Sequence, residues 1–106
     1  MSRTLEAIRG AISRGAVQVS RHAIRELEAD SLLLSDTLNA TLSGELLEDY
    51  PGAVRGPCCL VGGILETREW VHTVWGWDQA SEVAVLITAY RPDPQKWEGD
   101  FKTRRR

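Results

Sequence analysis

A chain of 106 residues suffices for one ordinary domain and is too short for two good cores. Its 42% hydrophobic and 26% charged content is that of a globular fold, and a net charge of −2 excludes a generally basic nucleic-acid binder, so an RNA contact would have to come from a local patch. No apolar run reaches membrane-spanning length, the N-terminus lacks the apolar core of a signal peptide, and the two cysteines are chain neighbours, Cys58 and Cys59, which excludes a disulfide scaffold. The expectation is one cytoplasmic domain over residues 1–106, with no membrane partner, an ordered core from about residue 4 to 101 and a basic tail, 102–106, that frays.

Leu5, Ile8 and Ile12 recur at helical spacing and predict a helix from Thr4 to Arg14, stopped by Gly15. Ser20 is the expected N-cap of a second helix from Arg21 to about Asp30, with Val19 and Ile24 at the spacing of a hydrophobic staple. Ser35 is the expected cap of a third helix ending near Ser43, whose apolar side is Leu34, Leu38 and Leu42, with Gly44 as the stop.

The period then changes from helical to alternating. Glu45 to Tyr50 reads as a short strand closed by Pro51-Gly52, and 53–57 as a loop. Cys58 to Leu65 reads as an apolar strand in which Gly62-Gly63 marks a bulge or a close approach. Trp70 to Trp77 alternates, with Val71, Thr73, Trp75 and Trp77 on one face and Trp70, His72 and Val74 on the other. After a turn over 78–81 comes the run Val83 to Tyr90, β-branched and aliphatic throughout, which reads as a strand buried on both faces with Val85 and Ile87 in the core beside Leu27 and Leu38. Pro92 and Pro94 end it, because neither offers an N–H to a ladder. Helices first and strands second predict an α+β fold, with N-terminal helices packed on a four-stranded, mostly antiparallel twisted sheet.

Two histidines carry the chemical interest. On the second helix Ala23, Ile24 and Leu27 share one side, while His22, Arg25 and Glu26 share the other. The first turn of a helix favours neutral imidazole, the form a general base needs. The structural alternative is a surface histidine paired with Glu26 at i, i+4. His72 stands mid-strand, where packing competes with catalysis as its role. Tyr90 and Arg91 arrive at the rim of a rigid strand, as a phosphate-stabilising pair or as a plain strand end with a solvated arginine. Arg25, Arg91 and Lys96 are the cations available for phosphate, and Trp97 after the proline pair is a lid or clasp. Adjacent strand cysteines point to opposite faces, so no metal and no other cofactor is expected.

Ser20-Arg21-His22-Ala23, Gly44 to Pro51, Val71-His72-Thr73-Val74, and Ile87 to Tyr90 followed by Pro92-Asp93-Pro94 and Trp97 form an ordered set that resembles the bacterial domain of unknown function 4258 family from about residue 16 to 101. The resemblance implies a fold similar to the RelE and barnase-like ribonuclease toxins, and a toxin half encoded beside a small antitoxin protein. It carries over His22, His72, Tyr90 and Trp97. The activity implied is metal-independent RNA cleavage, with His22 and His72 as base and acid, Tyr90 as hydrogen-bond donor, and Arg25 or Arg91 as phosphate clamp. The chain departs from RelE toxins in being acidic overall, which argues against tight ribosome binding. The alternative is a non-catalytic protein-interaction module, or a structural homodimer, on the same fold.

Overall fold

The boundary near Gly44 divides the chain as the change of period requires. A computed structural model describes residues 2–106. Its helices are α1 (Arg3–Ser13), α2 (Arg21–Ala29) and α3 (Leu34–Leu42). Its strands are β1 (Val17–Val19), β2 (Glu45–Tyr50), β3 (Cys58–Ile64), β4 (Trp70–Asp78) and β5 (Val83–Tyr90). The sheet is five-stranded in the order β1-β5-β4-β3-β2; β2 to β5 pair antiparallel and β1 runs parallel to β5. The α+β class holds, but the sheet is mixed and has one strand more than the sequence predicts. Val17-Gln18-Val19, between the first two predicted helices, pairs with Ala84, Val85 and Leu86.

Local signals explain most helix ends. Ser2 caps α1 by accepting from the Leu5 amide, and Gly15 follows it at φ +78°, a left-handed turn that suits glycine. Ser20 accepts from the Ala23 amide, as a cap should, and its hydroxyl donates to the Ile87 carbonyl, which ties the start of α2 to the sheet edge. Where β1 runs out, α2 takes over the edge of β5. Glu26 accepts from the Ala89 amide at 3.1 Å and Asp30 from the Arg91 amide at 3.0 Å. Two carboxylates one helical turn apart thus satisfy strand amides that would otherwise lack partners. Ile24, the expected staple partner of Val19, is 44% exposed.

Helix α3 begins without a side-chain cap, and Ser35 lies inside it. Its buried residues are Thr37, Ala40 and Thr41, while Leu34 and Leu42 are exposed and Leu38 is only half-buried. The threonines enter the core because their hydroxyls bond back along the helix, Thr37 to the Leu33 carbonyl and Thr41 to the Thr37 carbonyl, both at 2.9 Å. Helix α3 also lies so close to the sheet that a Cβ at Gly63 would stand 2.3 Å from the Ala40 carbonyl oxygen. Gly63 is therefore a close approach, and the irregularity in β2–β3 pairing falls at Leu46–Glu48 instead.

The helices cover one face of the sheet. Ile8, Ala11, Ala40, Val61, Val71, Trp75, Ala84, Leu86 and Ala89 form one buried cluster there. β5 is not buried on both faces. Ala84, Leu86 and Ala89 face the helices, whereas Val85 is half-buried and Ile87 is 39% exposed on the other side. A shift of register at Val74/Trp75 lets the strand skip one residue between Leu86 and Ala89.

Candidate functional site

The second face of the sheet is divided in two. Strand alternation and register place Leu60, Gly62, His72 and Tyr90 on one half, and Cys58, Gly76, Val85 and Ile87 on the other. The first half is covered by the chain's own C-terminus. Trp97 and Leu60 are buried there, outside the main cluster. The segment returns on itself: Trp97 bridges to Arg104, the Glu98 amide donates to the Thr103 carbonyl, and the Arg105 amide donates to the Lys96 carbonyl. The tail, expected as a free end, lies docked on the sheet face. Arg104 meets Glu48 of β2 through two nitrogens at 2.7 and 3.1 Å and lies over the Trp97 ring at 4.7 Å. Lys102 pairs with Glu45 at 3.0 Å and Arg105 with Glu98 at 3.1 Å. Acidic residues of β2 thus hold a basic strap that the sequence presents as an unpartnered charge run.

His72 is the centre of this half. Its side chain is fully buried, with the Tyr90 ring centroid 5.5 Å away and the Trp97 ring edge-on at 4.4 Å. Nε2 lies 2.7 Å from the Phe101 carbonyl oxygen, so it carries the proton and donates; Nδ1 is buried without a partner. Burial lowers the pKa of His72 from its ordinary 6.5, opposed by the Phe101 carbonyl. Burial also raises that of the half-buried Tyr90 phenol. Glu48 is held below the usual carboxylate value chiefly by its hydrogen bonds from Arg104.

The other sequence-predicted residues lie apart from this cluster. His22 is exposed on α2, with Nε2 3.2 Å from Glu26 Oε1. That carboxylate oxygen also receives the Ala89 amide, so the pair is anchored to β5. The Arg91 guanidinium is engaged twice: Nε donates to the Asp30 carbonyl at 3.2 Å, and Nη1 lies 2.8 Å from Glu69. Arg25 and Lys96 are exposed and, among the described residues, form no ion pair. The structure thus joins His72, Tyr90 and Trp97, adds Arg104 and Glu48 that sequence reasoning missed, and gives His22 a separate partner.

The bare half of the face is a trough of about 860 Å³ between the 53–57 loop and the β4–β5 turn. Gly76, Cys58, Val85 and Ile87 line it, and so do the charged residues Arg55 and Asp78. Val54, at the loop tip, is completely exposed. Cys59, one residue from Cys58, faces the helices, where burial pushes its thiol up to about 12. Among the described residues no three histidine, cysteine or acidic side chains are grouped to hold a metal ion, and no helix is long and apolar enough to cross a membrane.

The profile of the domain of unknown function 4258 family matches residues 19–91, from the start of α2 to the end of β5. The chain belongs to that family. No curated protein and no solved structure matches it.

Proposed function

We propose that the chain is a non-catalytic protein-interaction domain, on the toxin-like fold its family resemblance implies, and that the bare trough docks a second copy of the chain. The observation that carries this reading is a knob beside a hole. Val54 is completely exposed and lines a mainly apolar trough together with Val85 and Ile87. A soluble domain gains nothing from such a pair alone, and contiguous exposed apolar surface marks a contact site. In a two-fold dimer each surface meets its own copy, so each Val54 enters the other trough and each Arg55 meets the other Asp78. A lining with one cation and one anion suits that symmetry and suits a uniformly charged partner less well.

Sedimentation equilibrium between about 1 and 500 µM tests this reading. The wild type is expected to dimerise, and Ile87→Asp and Val54→Asp to remain monomeric with unchanged melts. A wild type that stays monomeric throughout, or variants that dimerise equally well, overturns it. Binding of a small antitoxin protein at the same trough by a monomeric chain would replace the second copy as occupant.

The second reading is a metal-independent endoribonuclease at His22, in the cytoplasm, with Arg25 as the neighbouring cation. The geometry that favours it is the exposed imidazole oriented by Glu26 at 3.2 Å, with the carboxylate itself fixed to β5. The partner role expected of His72 is weakened by its burial, since an acid or base must reach the proton it transfers. Cleavage of a mixed RNA in the presence of chelator is the test. This reading expects His22→Ala to lose about 10²–10⁴-fold in rate. Equal cleavage by both proteins, or none by either, removes it.

A further inference from the structure

The C-terminal strap, residues 91–106, carries six of the chain's thirteen cations and only three of its fifteen anions. It is the basic part of an otherwise acidic molecule, and it lies on the acidic strand β2. Beyond Arg91, which Asp30 and Glu69 hold, it is fixed by three components. Trp97 is buried against the sheet. Lys102 and Arg104 pair with Glu45 and Glu48. The Phe101 carbonyl accepts from His72 Nε2 at 2.7 Å. Phe101 itself is held at φ +53°, a conformation unusual for a large side chain, so its carbonyl is turned inward at some backbone cost.

The weak component is the imidazole. Nδ1 is buried with no acceptor, so a second proton there has nothing to bond. The groups that face the ring offer no counter-charge in contact: Tyr90 from β5, Trp97 and Phe101 from the strap, and Gly62 across from β3. Of the charged groups whose fields reach it, Arg104 of the strap opposes protonation and Glu48 of β2 favours it, and these two neutralise each other. Opening the strap would bring Nδ1 into water, where it can take the proton.

We propose that the strap is a releasable cover over the His72 half of the sheet face, closed while His72 is neutral and opened by its protonation. Opening uncovers Leu60, Gly62, His72 and Tyr90, which continue the bare trough along the same face of β3, β4 and β5. The direction follows from linkage. Because burial lowers the pKa in the closed form, only the open form takes up a proton as pH falls below 6.5. Closure then weakens by up to about tenfold per pH unit until the closed-form pKa is reached, and no further below it. Glu48 stays ionised through this window, since Arg104 holds it below its ordinary 4.5. The ionic clasp therefore does not titrate at the same time as the imidazole.

Amide exchange followed by NMR, corrected for intrinsic rates, reads the strap directly. The reporters are the Glu98 and Arg105 amides, whose acceptors are the Thr103 and Lys96 carbonyls. The Ala84 amide, which donates to the Ala16 carbonyl, is the reference for the rest of the fold. Between pH 7 and pH 5 the strap amides are expected to lose protection, by up to about tenfold per pH unit, while Ala84 is unchanged, and His72→Phe is expected to remove that pH dependence. If His72→Phe does not fold, the ¹⁵N shifts of His72 in the wild type serve instead, and must titrate together with strap exchange. Strap protection that is flat with pH, an equal loss at Ala84, or a pH dependence that survives in His72→Phe overturns the proposal.

Discussion

The two faces of the sheet are built on different terms. On the helix side, Trp75, Val61, Leu86 and Ile8 are fully enclosed, and Thr37, Thr41 and Thr73 enter with their hydroxyls bonded. On the other side, half of the surface is closed by a charged strap and half is left bare, with Ile87 facing water. β5 belongs to both, and consecutive residues of one apolar strand have opposite work. The comparison teaches that Leu86 holds the fold together while Ile87, chemically almost the same, is free to serve contact.

That difference gives the largest expected effect. Leu86→Ala should destabilise the domain by about 2–5 kcal/mol, through lost burial and the cavity left behind, whereas Ile87→Ala should cost less than about 1 kcal/mol. Denaturant melts of the two variants check this, and equal costs would erase the distinction between the faces. Gly63→Ala probes the helix side from another direction. The added methyl meets the Ala40 carbonyl at 2.3 Å, so α3 must shift, at about 1–3 kcal/mol or more.

A smaller loss, about 1–3 kcal/mol, is expected for Asp30→Ala, which strips the Arg91 amide of its acceptor, while Asp30→Asn should recover most of it. On the strap side, Glu48→Gln should leave the melt nearly unchanged but raise exchange of the Glu98 and Arg105 amides a few-fold, because the Arg104 end of the ion pair is exposed. His22→Ala should change stability least, within about 0.5 kcal/mol, its imidazole being exposed.

Where sequence and structure agree, the signal is local. Ser20 before Arg21, Gly15 after α1, the alternation of Trp70 to Trp77 and the turn at 78–81 each act within a few residues, and each is where the pattern puts it. The misreadings share the opposite property. Val17-Gln18-Val19 becomes a strand only because β5 lies beside it, and three residues carry no period of their own. Val85 and Ile87 are as apolar as Leu86, so composition cannot tell a strand buried twice from one with a bare face. The stripe Leu34, Leu38, Leu42 outweighs Thr37 and Thr41 on any hydrophobicity scale, yet bonds to the preceding turn let the threonines inside.

The candidate site follows the same rule. His72, Tyr90 and Trp97 are recognisable in the sequence, and they do assemble. The strap is not recognisable, because the acids that neutralise Lys102 and Arg104 lie more than fifty positions earlier, on β2. Nor is the trough, since its walls come from a polar loop, a turn and one face of β5.

The central claim is that the bare half of the sheet face is the contact surface. A dilution series of ¹H–¹⁵N spectra tests it most directly. The account predicts concentration-dependent shifts confined to residues 53–58, Gly76 to Gln79, Val85 and Ile87, absent in Ile87→Asp. Spectra that do not change with concentration, or changes centred on α2 or the outer edge of β2, would contradict it.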